Sequence, residues 1–188
     1  MSRHLLILVL MLGNVALAQS PFVEARIIWR RHHGQPYPRH IRLYAQNPDD
    51  NLFVRNRSDT LATARRWQLY HPLGGDITFT AAGTAVGTLG QQRAQVVPDE
   101  TGWELHSPGD TLYLLVLNPD SLDRPSGTQL VRRLRRGETI HDIPLLWVIP
   151  NGQPPLRWSV TETGALEDIP ELFRVLALIV TIREQYLR

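Results

Sequence analysis

The stretch that most limits what this chain can become is residues 76–118, where short β-type runs are separated by turn chemistry. Ile77, Phe79 and Ala81 alternate with Thr78 and Thr80, the pattern of a half-buried strand. Residues 83–90 are punctuated by glycine and read as a hairpin connection. They lack the Lys-Ser/Thr of a phosphate loop, and no helical pattern follows them. Pro108, Gly109 and Asp110 lead straight into residues 111–117, a bounded apolar run of the kind buried on both faces.

The same grammar extends in both directions. Residues 22–29, 41–45, 52–55 and 65–70 are short strand candidates, separated by proline- and Asn/Asp-rich turns. Residues 129–136, 143–149 and 156–160 continue the series, and the polar connection at 119–128 is a candidate boundary between modules. No helix of ordinary length is visible before Gly164. The expectation is a mainly β chain: an antiparallel, immunoglobulin-like β-sandwich over 19–163, as one domain or two small modules, followed by a C-terminal helix within 164–188.

That last segment differs in kind. Asp168 is a good N-cap, Pro170 falls in the first turn and Glu171 lies three residues beyond the cap. As a helix, Leu172, Phe173, Leu176, Ile179 and Val180 form one apolar stripe that Val175, Leu178 and Ile182 widen. The β-branched Val175, Ile179, Val180, Thr181 and Ile182 pull toward strand instead. Residues 172–182 fall short of the roughly 20 needed to cross a bilayer. The helix therefore either completes the chain's own core or docks on a partner or a membrane surface.

The other end reads as an export leader. Arg3 and His4 precede an apolar run at residues 5–12, and Ala16-Leu17-Ala18 supplies the small residues of a cleavage site. Cleavage after Ala18 would place the protein in the periplasm or outside the cell. The sequence has no cysteine, so neither a lipid-bearing thiol, a disulfide nor a Cys–His mechanism is available. All 20 basic residues are arginine, set against 18 acids. This near balance gives no overall field for nucleic acid. Arg132, Arg133, Arg135 and Arg136 form the one dense cluster, either a grip for phosphate or an acidic partner or a charged edge strand that resists aggregation.

Residues that could carry chemistry are scattered. His32, His33 and His40 are the one local group resembling metal spacing, without a carboxylate beside them, and they read as a polar turn. His141-Asp142 lacks a nucleophile in recognisable context, since no G-x-S-x-G is present. No catalytic, cofactor or metal residue is assigned. Trp29, Trp67, Trp103, Trp147 and Trp158 are core candidates that could alternatively form a glycan-stacking platform.

Residues 77–118, with the run P-G-D-T-L-Y-L-L-V-L-N, are similar to the small immunoglobulin-like repeats of bacterial periplasmic proteins. Leu43-Tyr44-Ala45-Gln46-Asn47-Pro48 and Val96-Val97-Pro98 resemble the periplasmic β-domains of the gliding-motility and type IX secretion shaft protein. The resemblance covers about a third of the chain and departs from that family's membrane-anchored start. It implies a structural or interaction role and carries over no functional residue. The expected function is a non-catalytic, exported envelope protein that contacts another envelope protein, or a copy of itself, through sheet edges or the C-terminal helix. The alternative is a carbohydrate-binding module or glycan-acting enzyme.

Overall fold

A computed structural model of the chain describes residues 22–32, 35–57, 66–80, 82–117, 127–151, 157–163 and 169–186. The leader at 1–18, the connection at 119–126, His33 and the capping Asp168 lie outside them. Twelve strands are present among the described residues. They are β1 (Phe22–His32), β2 (Gln35–Ala45), β3 (Leu52–Asn56), β4 (Arg66–Tyr70), β5 (Gly75–Phe79) and β6 (Ala85–Leu89). There follow β7 (Gln92–Asp99), β8 (Gly102–Ser107), β9 (Asp110–Val116), β10 (Thr128–Arg136), β11 (Thr139–Asn151) and β12 (Arg157–Glu162). Among the described residues one α-helix, α1 (Glu171–Tyr186), follows the strands, and a 3-10 turn at Pro48–Asp50 precedes β3.

Each strand pairs antiparallel with the next, and β12 returns to β1 through Glu24↔Ser159, Ala25↔Trp158 and Arg26↔Arg157. The sheet is a closed up-and-down barrel. This corrects the expected immunoglobulin-like sandwich; the mainly β character and the C-terminal helix are as expected. The difference rests on one long-range pairing. Alternation tells which side chains point inward but not whether the first and last strands meet, so a sandwich and a barrel have the same local pattern.

The inward positions are apolar. Trp67 and Leu69 on β4, Ile77 and Phe79 on β5, Leu112 and Leu114 on β9, and Trp158 on β12 are at most 2% exposed. Arg66, Gln68 and Tyr70 alternate with them on the outside. Residues 85–89, expected within a hairpin connection, are instead a strand, with the turns displaced to its two ends at Gly83 (φ 83°) and Gly90 (φ 56°). Gly87 stands inward in that strand. A Cβ there would lie 3.0 Å from Leu176 Cδ2 and 3.1 Å from Leu172 Cδ1, so the missing side chain is the room the helix occupies.

The helix occupies the lumen. Leu172, Phe173 and every residue of 175–182 are no more than 2% exposed. A helix buried around its whole circumference needs walls on every side, and a closed barrel supplies them. Five β-branched residues cost a few tenths of a kcal/mol each in helix propensity. Burying one aliphatic side chain returns about 1.5–3 kcal/mol, so the lumen overrides the preference for strand. Thr181 is the one fully buried polar residue of the helix. Its hydroxyl donates to Ala177 O at 2.7 Å and accepts from Thr128 Oγ1 of β10 at 2.5 Å, which satisfies both side chains.

The helix enters beside the β4–β5 and β6–β7 turns, where Leu172 N donates to Gln92 Oε1 at 3.2 Å. It ends beside the opposite mouth, with Arg183 stacked 4.6 Å from the Phe79 ring. No helix among the described residues is long and apolar enough to cross a membrane. The outer wall carries Arg42, Gln68, Gln95 and Glu104.

Candidate functional site

Closure of the barrel leaves β10 with a neighbour on each side, so its arginines do not lie on an edge of the wall. The two strands nevertheless outrun the barrel. Pairing of β10 with β9 stops at Val131↔Tyr113, and pairing of β11 with β12 begins at Leu146↔Glu162. Between these limits β10 and β11 pair only with each other, from Arg132↔Ile143 to Arg136↔Thr139. A two-stranded ribbon therefore projects past the wall, and both of its outer sides lack a strand partner among the described residues.

Three of the four predicted arginines on this ribbon have assigned contacts. Arg133 makes a two-pronged pair with Asp142 (Nε–Oδ1 2.9 Å, Nη2–Oδ2 3.2 Å) and stacks 4.1 Å from the Tyr113 ring. The hydrogen bond to Asp142 raises the guanidinium's pKa above its already high ordinary value. Arg132 reaches Asp110 at 3.3 Å, fixing the ribbon's root, and Arg135 Nε donates to Gly137 O at 3.2 Å across the tip. Arg136 is exposed beside them, with Ile140 and Ile143, which are 59% and 38% exposed. Asp142 is engaged by Arg133, which leaves no His141–Asp142 dyad.

The other predicted partner residues lie elsewhere. Leu172, Phe173, Leu176, Ile179 and Val180 are inside the barrel, facing strands. Trp67, Trp103 and Trp158 are also interior, at 7% exposure or less, and Trp147 is half-buried. These three form no exposed stacking row. Among the described residues no three His, Cys, Asp or Glu side chains gather as a metal site.

Two features are not foreshadowed by the sequence. The first is at the mouth where the helix begins. His71 Nε2 lies 3.6 Å from Glu171 Oε2, and both side chains are largely buried. Leu73 N donates to His71 Nδ1 at 3.1 Å, so in the neutral ring the proton sits on Nε2, facing the carboxyl. Burial lowers the His71 pKa. It pushes Glu171 up to about 7, with Arg174 pulling it down and Asp50 adding to the rise.

The second is an arginine-rich tract of the outer wall. Arg42 stacks 4.1 Å from the Phe53 ring. Arg55 and Arg57 both donate to Tyr70 Oη, at 3.4 and 3.2 Å, and Arg57 also holds Gln68 Oε1. Arg66 reaches Asp76 at 3.5 Å. A cleft of about 480 Å³ lies here, lined by Arg57, Arg66, Gln68, Gly75, Asp76 and Thr88. A larger recess of about 690 Å³ sits at the far mouth between residues 98–103 and Glu184. Two of its three carboxylates are engaged locally: Asp99 accepts from Thr101 at 3.2 Å and Glu184 from Arg183 at 3.2 Å, while Glu100 is exposed. Among the described residues no serine, cysteine or histidine lines either recess.

No family model, curated protein or solved structure matches this chain.

Proposed function

We propose that this is an exported, non-catalytic contact protein of the cell envelope that engages an acidic segment of another envelope protein through the β10–β11 ribbon. What supports this is, above all, the ribbon itself: within the described sheet it offers backbone pairing without a strand already beside it. An added strand would find main-chain donors and acceptors, the exposed Arg135 and Arg136, and the apolar Ile140 and Ile143. The charge favours an acidic partner over a second copy, because two such ribbons would set arginine against arginine. The lumen, the natural ligand site of a barrel, is taken by the helix. Export rests on the composition of residues 1–18, and the resemblance to periplasmic shaft β-domains points to the same compartment without their sandwich fold.

The test is charge reversal in the native setting. Arg135→Glu/Arg136→Glu should leave the circular-dichroism spectrum and Tm unchanged. It should also reduce the yield of the specific envelope crosslink formed by the wild-type chain at least tenfold. An undiminished crosslink from the folded variant would refute the proposal.

A further inference from the structure

The outer wall from β3 to β7 carries a second surface, remote in sequence from the ribbon strands. Pairing aligns Arg55, Gln68, Asp76, Thr88 and Arg93 in one lateral row across five strands: Arg55↔Gln68, Gln68↔Asp76, Asp76↔Thr88 and Thr88↔Arg93. All five are polar, at the inter-strand spacing of about 4.8 Å, and beyond Arg55 the pairing carries the row on to His40 of β2. A second short row starts beside it, where Arg57 N donates to Arg66 O at 2.7 Å.

The charges here are out of balance. Arg55 and Arg57 converge on one neutral oxygen, Tyr70 Oη, and Arg57 places two of its nitrogens on the neutral Gln68 Oε1. Among the described residues no carboxylate pairs with either guanidinium. Two like charges held this close repel, and an oxyanion between them would relieve the repulsion while accepting their planar N–H forks.

The floor of the cleft is fixed by packing. A Cβ on Gly75 would lie 2.3 Å from Thr88 O, so only glycine lets β5 and β6 close there. Thr88 Oγ1 donates to Asp76 Oδ1 at 3.0 Å and accepts from Asp76 N at 3.3 Å, which holds that carboxylate toward the cleft wall. Tyr70, 45% exposed, presents a ring flank beside the arginines.

We propose that this tract binds an acidic polysaccharide. Arg55, Arg57 and Arg66 take its carboxylate or sulfate groups, Gln68, Asp76 and Thr88 take its hydroxyls, and the Tyr70 ring flanks a sugar face. One observation selects this ligand over an acidic peptide. Between its arginines the row presents an amide, a carboxylate and a hydroxyl, which match sugar hydroxyls, and these three side chains line the cleft of about 480 Å³.

The test titrates the full chain by calorimetry with an oligogalacturonate, a sulfated oligosaccharide, a neutral oligosaccharide of equal length, polyglutamate and sodium sulfate. At least one acidic oligosaccharide should bind, ten-fold or more tighter than polyglutamate and sulfate, with affinity falling as salt rises. Whichever binds tighter identifies the acidic group. Arg55→Gln/Arg57→Gln should weaken binding at least ten-fold at unchanged Tm, while Arg133→Gln has no effect. If the double variant does not fold, arginine Nε resonances of the wild-type chain should shift at Arg55, Arg57 and Arg66 upon titration. Equal binding of polyglutamate or of sulfate alone, absence of acidic-glycan binding, unweakened binding by the folded double variant, or Nε shifts elsewhere would each overturn the proposal. None of these results bears on the ribbon crosslink.

Discussion

Glu171 stands at the start of a helix, where a negative charge is ordinarily favoured, yet burial against the β4–β5 turn raises its pKa to about 7. A carboxyl that binds its proton more tightly when folded contributes stability in full below its ordinary pKa of 4.5 and loses it as pH rises through about 7. His71 acts in the opposite sense: its lowered pKa costs stability as pH falls below 6.5. Glu171→Gln keeps the shape and removes the titration. Relative to the native chain it should be neutral near pH 4.5 and more stable at pH 8 by on the order of 1–3 kcal/mol. Parallel thermal melts across that range measure the difference; a variant that loses stability toward pH 8 would contradict the assignment. At this scale the sequence was uneven. Glu171 is legible as a first-turn acid, but the proximity of His71, one hundred residues earlier, is set by barrel closure and leaves no local trace. The paired Thr128 and Thr181 are equally silent.

Among the elements, strand identity was the most legible feature, because alternation such as Trp67-Gln68-Leu69 is a direct consequence of one wet and one buried face. Residues 83–90 misled for a physical reason. Glycine usually marks a turn, but Gly87 marks a close approach of Leu172 and Leu176 to a strand. Gly87→Val would drive two methyl groups into the helix and should cost about 1–3 kcal/mol by overpacking. Denaturant unfolding would register it as a lower midpoint with an unchanged slope, and an unshifted midpoint would mean the helix does not press on β6. The arginines of β10 were legible as a cluster but not as a ribbon, since the projection depends on where β9 and β12 stop pairing.

For the molecule as a whole, the deciding contacts are the least local ones. The β1–β12 pairing closes the wall, and the apolar C-terminal helix fills what the wall encloses. Each makes the other necessary: an unfilled barrel of this girth would leave its leucines and tryptophans facing a void, and the helix alone would expose apolar residues on every side. The sequence stated the helix's need for burial and left open whether its own chain or a partner met it. Filling the lumen also turns recognition outward, to the ribbon and the arginine-lined wall. Amide hydrogen exchange on the full-length chain tests the filled lumen most directly. Amides of residues 175–182 should exchange in the slowest class, with the same free energy as the central strand amides of β4 and β9, because only global unfolding frees them. Fast exchange of those helix amides while the strands stay protected would show the helix outside the barrel and contradict it.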